Sequence, residues 1–151
     1  HFKELILFAG LTGLRKGELF ALDASDIQGS TVVVSKSLSL IRGESVLTQP
    51  KTAKSVRGVE IPEELVYYFH NRKEGPVFTS PQGNRIQPNN FRKRYFIPAV
   101  ENSIGEPFRF HDLRHTAVAL AIKENKHPFE ISKMLGHTSI KTTFDVYGHL
   151  L

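Results

Sequence analysis

A histidine and an arginine, His111 and Arg114, stand three residues apart on a stretch that is otherwise largely apolar through Ile122. A cation half-buried in such a stretch needs an anionic partner, and few carboxylates lie nearby in sequence. Three further polar clusters share the chain. Thr12-Gly13-Leu14-Arg15-Lys16-Gly17-Glu18 sets Arg15 and Glu18 one helical turn apart. Lys51 and Lys54 follow Pro50, and Leu135-Gly136-His137 precedes Tyr147 by ten residues. Together these types suit transfer at a phosphodiester. Two guanidiniums can hold both non-bridging oxygens of one phosphate. Tyr147 could attack, a lysine could protonate the leaving oxygen, and His111 and His137 could move a proton or donate hydrogen bonds. Where cationic side chains neutralise the developing charge, no metal is required.

Each cluster also has a plainer reading. Arg15 with Glu18 could be an ordinary surface ion pair, and two lysines on a turn a solvated tip. His137 could cap a helix, and Tyr147, among Phe144 and Leu151, could be core. His111 and His115 have the (i, i+4) spacing of zinc ligands. Against that, the residues between them are Asp112, Leu113 and Arg114. A guanidinium there would repel a cation, and with no cysteine in the chain no metal site is expected.

The chain that must position these residues has 151 residues and a net charge of +5, with 40% hydrophobic and 23% charged residues. That apolar content suits one globular domain and excludes a disordered or low-complexity chain. No run reaches the roughly 18 to 20 apolar residues of a membrane span. The basic excess is local: residues 31–100 hold 11 Lys/Arg against 5 Asp/Glu. Such a patch attracts polyanions, DNA or RNA above all, although a solubilising surface would look the same.

Apolar spacing predicts a helix from Phe2 through Phe8 and another over Arg15 to Leu22. Alternation predicts a strand from Thr31 to Leu40, then two more at Val46-Leu47-Thr48 and Val56 to Ile61, a small three-stranded antiparallel sheet. Beyond Pro62 the chain reads as helical. A helix is expected after Pro62, one from Pro88 through Phe96, and a buried one from His111 to Glu124. Another runs from Pro128 to Leu135, closed by Gly136, and a last one is capped by Thr138 or Ser139 and carries Ile140, Phe144 and Tyr147.

With Tyr147-Gly148-His149 added, these motifs fall in one order, and with these gaps the chain resembles the catalytic domain of tyrosine site-specific recombinases, the phage-integrase family. The resemblance covers nearly the whole chain. It implies an α+β fold, predominantly helical with a small three-stranded antiparallel sheet, of the DNA breaking-rejoining kind. It further implies that residues 1–151 are one catalytic domain, cut from a longer protein whose N-terminal DNA-clamping domain and C-terminal tail are missing.

Roles carry over position by position. Tyr147 resembles the nucleophile that forms a 3′-phosphotyrosine. Arg15 and Arg114 resemble the pair that grips the phosphate oxygens, and Lys51, with Lys54 as rival, the acid for the 5′ oxygen. His111 resembles the general base, His137 a hydrogen-bond donor completing the pocket, and Glu18 a supporting acid. No cofactor is implied. The partner is double-stranded DNA, bound as a homo-tetramer by the full-length protein in the cytoplasm beside the nucleoid, the isolated piece being a monomer. Charge placement adds Lys36, Arg42, Lys54, Arg92, Lys93 and Arg94 as DNA contacts. Kindred readings are a type IB topoisomerase and a DNA-binding module without chemistry; a zinc hydrolase stands furthest off.

Overall fold

In a computed structural model, residues 1–49, 56–137 and 139–150 are described, Leu150 by its backbone alone. About half of the chain is helical. Helix α1 (Lys3–Thr12) ends at Gly13, and α2 (Lys16–Ala21) follows at once. The strands come next: β1 (Ile27–Gln28), β2 (Thr31–Val34), β3 (Ser37–Ile41), β4 (Glu44–Thr48) and β5 (Arg57–Glu60). Helices fill the remainder: α3 (Val66–His70), α4 (Pro88–Phe91), α5 (Ile97–Ser103), α6 (Asp112–Lys123), α7 (Pro128–Leu135) and α8 (Ile140–Tyr147).

A three-stranded antiparallel sheet is present, but its members differ from those expected. Its order is β1-β2-β5, with Val32 opposite Val59 and Val34 opposite Arg57. The single strand expected over Thr31–Leu40 breaks at Ser35-Lys36. Lys36 turns its ammonium onto Asp23 (2.6 Å) and Asp26 (2.9 Å), and the chain restarts as a separate β3-β4 ribbon. The ribbon turns through Arg42 and Gly43, both at positive φ, as a two-residue hairpin with the twist of its strands requires. Only its root reaches the core: Leu38 is buried while Leu40 and Leu47 are exposed.

The expected helix from Pro88 is one rod with a wide π turn at Arg92–Phe96. Pro98 has no N–H to give the Arg94 carbonyl, and the ladder widens so that Ile97 N–H reaches Arg92 O instead. The expectation that α6 is buried on most sides is also corrected. Leu113, Ala117, Val118 and Ala121 are buried, whereas Leu120, on the far side of the helix, is exposed.

Among the described residues two apolar clusters result. The larger joins α1, α2, β2 and α3 around Leu5, Phe8, Leu19, Phe20, Val32 and Phe69, and extends through Phe91 to Leu113. The smaller consists of Val118, Ala121, Ile131, Leu135 and Tyr147, from α6, α7 and α8. Gly13 lies where the two meet. Its φ of 66° favours glycine, and a Cβ there would sit 2.9 Å from Leu135 Cδ2 and 3.1 Å from Ala117 Cβ. A bare backbone is what lets α1 end against α6 and α7.

Candidate active site

Arg15 caps α2 from an extended conformation, with its side chain 48% exposed. Glu18 reaches back from the third helical position to accept the Arg15 N–H at 2.8 Å, a capping-box contact, and takes Arg15 Nη1 at 3.2 Å. The same carboxylate meets a second guanidinium. Arg57 donates from Nη1 to Oε1 at 3.0 Å and from Nη2 to Oε2 at 2.9 Å, a bidentate pair whose side chains are only 9% and 11% exposed. Burial alone would push the Glu18 pKa up. The Arg57 bonds and charge, with the Arg15 N–H, outweigh it and hold the carboxyl below its usual range.

Arg57 was not among the residues singled out from sequence. Its signal was there: on β5 it shares a face with the core residue Val59, two positions on, so its side chain has to point inward. It also donates Nε to Met134 O at 3.3 Å. Gly136, at φ 64°, makes this approach feasible, because a Cβ there would lie 2.6 Å from Arg57 Nη1.

Arg114 is 4% exposed in the first turn of α6. Its partners are not carboxylates but neutral backbone carbonyls: Nη1 donates to Gly13 O and Nη2 to Leu135 O at 2.8 Å. Leu135 and Met134 close α7, so both arginines sit at the negative end of that helix and satisfy carbonyls its last turn leaves open. The end itself is a Schellman turn, with His137 N–H on Ser132 O and Gly136 N–H on Lys133 O. Burial and the neighbouring Arg15 charge push the Arg114 pKa down to about 10, which leaves it cationic near neutrality.

His137 is placed beside Arg114. Its Nε2 is 3.0 Å from Arg114 Nη2 and its Nδ1 is 2.8 Å from Thr143 Oγ1. Both nitrogens are therefore engaged within the protein. Burial, with the charges of Arg114, Arg15 and Arg57, pushes its pKa down to about 4, so the ring is neutral.

Tyr147 is 4% exposed and packs within its own chain, as a member of the smaller core. Burial raises its pKa, and the Arg114 charge pulls it partly back. The phenol thus keeps its proton near neutrality, and a base is needed to activate it. Its ring meets His115 edge-on at 5.5 Å between centroids, and His115 meets His111 perpendicularly at 5.7 Å. His115 entered the sequence reading only through its metal-like spacing; one turn beyond His111 on the same face, it is the ring that touches the tyrosine. His111 is exposed at the start of α6. Desolvation and the Arg114, His115 and Arg109 charges lower its pKa and keep it a free base.

Lys51 and Lys54 lie outside the described residues, as does Thr138. Ser139 caps α8, accepting from Lys141 N–H at 3.2 Å. Arg42, Arg92, Lys93 and Arg94 are exposed, the last three on the π turn. Lys36 corrects its expectation: held by Asp23 and Asp26, its charge is neutralised within the protein.

Arg15, Glu18, Arg57, Arg114, His137 and Tyr147 are thus gathered from five elements around the end of α7. The sequence profile described as the phage integrase family matches residues 1–151. The chain belongs to the phage integrase family. Among its relatives, the ICEBs1 integrase of Bacillus subtilis (strain 168) is 36% identical over 99% of this chain and 45% of its own length. The integrase of Staphylococcus phage L54a is 30% identical over 99% of this chain and 50% of its own. The chain therefore spans about half the length of the curated relatives it matches. The Tn1549 transposon integrase, solved in complex with circular intermediate DNA, superposes with a TM-score of 0.80 at 21% identity, over 95% of this chain and 54% of that one. XerA recombinase superposes at 0.73 and 24% identity, over 98% and 51%. At such identities the superpositions establish the fold of this family member.

Proposed function

We propose that this chain is the catalytic domain of an integrase-type tyrosine recombinase, which cuts and rejoins duplex DNA at a specific site. Tyr147 Oη attacks the scissile phosphorus. A P–Oη bond forms, the P–O5′ bond breaks, and the DNA keeps a 3′-phosphotyrosyl end and a 5′-hydroxyl. The phenolic proton passes to His111, and the 5′ oxygen takes one from Lys51. Arg15 and Arg114 hold the non-bridging oxygens as charge builds on them. His115 fixes the phenol edge-on, while Glu18 and Arg57 hold Arg15.

The observation that carries this reading is the buried Arg114, seated on the carbonyls of Gly13 and Leu135 within the electrostatic reach of Tyr147. A core has no use for a guanidinium placed there, whereas a phosphate does. Because the phosphotyrosine conserves the bond energy, rejoining by the 5′-hydroxyl needs no nucleotide. Exposed Arg42 and the Arg92-Lys93-Arg94 turn, with Lys54, contact the DNA backbone. The full-length protein works as a tetramer on DNA in the cytoplasm, beside the nucleoid.

The test is a nicked suicide duplex carrying the cognate site, incubated with full-length protein and EDTA and run on a denaturing gel. A covalent protein–DNA band that disappears in Tyr147→Phe is the expected result. DNA binding with no covalent band would sink the proposal and leave a binding module.

A further inference from the structure

Nothing in the local sequence ends β2. Val34, Ser35 and Lys36 include no glycine or proline, and the alternation runs straight on into β3. The break is held from outside. Lys36 Nζ lies 2.6 Å from Asp23 Oδ2 and 2.9 Å from Asp26 Oδ2, and Arg85 spans Asp23 Oδ1 and the Phe20 carbonyl in the last turn of α2. Asp26 is itself fixed, accepting the Asp23 N–H at 2.8 Å. Two acids and two bases balance in this hub, whose side chains are 12–21% exposed. Burial opposes the Lys36 charge, but the Asp23 and Asp26 bonds outweigh it and raise its pKa. Immediately beyond, β3 rests on the bare backbone of Gly17 in α2. A Cβ there would collide with Ser37 Oγ and stand 2.8 Å from Leu38 O.

We infer that Lys36 is a positioning residue: its ion pairs with Asp23 and Asp26 set the angle at which the β3–β4 ribbon leaves the sheet, and so where Arg42 meets the DNA backbone. Among the described residues the ribbon's other holds are slight. Leu40 and Leu47 are exposed, and toward the tip Ser45 gives Gln87 Oε1 one exposed hydrogen bond at 2.6 Å. At about 3.3 Å per residue, Arg42 stands roughly 20 Å from Lys36. A swing of about 10° at the root then moves the tip by roughly 3–4 Å, more than a hydrogen bond to phosphate can follow. Exposed ion pairs seldom hold anything in place; a partly buried network anchored by backbone bonds is the exception. The Arg42 contact rests on the proposed function, whereas the ribbon's angle can be read without DNA.

A lysine that merely stabilised the fold would behave differently, and Lys36→Met and Lys36→Arg in full-length protein separate the roles. Spin labels go on Glu44→Cys at the ribbon tip and Ser30→Cys on the β1–β2 turn, both exposed, with any cysteine outside these 151 residues replaced by serine. Without DNA, the distance between the labels should be narrowly distributed with Lys36 or Lys36→Arg, and broad or displaced with Lys36→Met. In titrations of a fluorescent duplex at several salt concentrations, Arg42→Gln should reduce the slope of log K against log salt by about 0.9, one phosphate contact. Lys36→Met removes a charge already spent on Asp23 and Asp26, yet should lose about as much, and adding Arg42→Gln to it should lose little more. Lys36→Met with Asp26→Asn, which restores the net charge, should bind as weakly as Arg42→Gln. A folded Lys36→Met with the wild-type label distance would overturn the inference. So would losses that add in Lys36→Met with Arg42→Gln, or a charge-restored double variant that binds like the wild type. If Arg42→Gln binds like the wild type while Lys36→Met frees the ribbon, the DNA contact fails and the hinge stands.

Discussion

Replacing Arg57 by methionine is the sharpest test of how the site is held. The change removes one partner of a bidentate pair whose side chains are 9% and 11% exposed, and leaves Glu18 to Arg15 alone. Breaking a buried pair from one side costs about 3–5 kcal/mol. Arg15 still supplies two of the four bonds Glu18 accepts, which places the loss near the lower end. The Met134 carbonyl loses its donor as well, for about 1 kcal/mol more. A total of about 4 kcal/mol should lower the melting temperature by roughly 8–16 °C, at about 2–4 °C per kcal/mol for a chain this long. Glu18→Met combined with Arg57→Met removes both charges, and calorimetry should show most of the lost stability restored. Covalent complex formation should nevertheless stay low in the double variant, because Arg15 has lost its anchor. A single variant losing under about 1 kcal/mol would refute the reasoning, since that is the worth of a surface pair. A double variant as unstable as the single one would refute it too.

Two further outcomes follow from the charges. Changing Arg92, Lys93 and Arg94 together to glutamine should weaken DNA binding and reduce the slope of log K against log salt by about 0.9 for each phosphate the protein no longer neutralises. An unchanged slope would take the π turn off the DNA. Stability should also fall on acidification from pH 6.5 toward 4. The folded His137 pKa is about 4 against an ordinary 6.5, so the unfolded chain takes up a proton there that the folded one refuses. The full shift corresponds to about 3 kcal/mol, and partial exposure of the ring screens it to roughly half. Glu18, with its lowered pKa, extends the loss below its ordinary 4.5. Unfolding midpoints across this range should decline, and decline less in His137→Gln; a flat profile would contradict the buried neutral ring.

Much of this was legible in the chain, for reasons that differ element by element. The helices carry their own punctuation, with Gly13 and Gly136 at left-handed ends and Pro128 in the first turn of α7, and they fall where spacing placed them. The break at Ser35-Lys36 was hidden because alternation continues through it; only the pairing of Lys36 with Asp23 and Asp26, on the preceding turn, reveals it. Arg15, Arg114, His137 and Tyr147 stood out by residue type and order. What they touch did not, since the ligands of Arg114 are backbone carbonyls, which no sequence pattern displays. Arg57 escaped notice as one cation among many in the basic stretch, and Thr143 as one small polar residue on an amphipathic helix.

Tyr147 is one of five buried side chains that, among the described residues, make the smaller core, which gives the proposed covalent step a mechanical meaning. Once its oxygen is bonded to a DNA strand, α7 and α8 are tethered to the duplex through the very ring that packs them together. Tension in the strand then loads Ile131 and Leu135 first, and reaches the larger core along α6, which carries Leu113 as well as Val118 and Ala121, and through Gly13 and the two arginines bound to the α7 carbonyls.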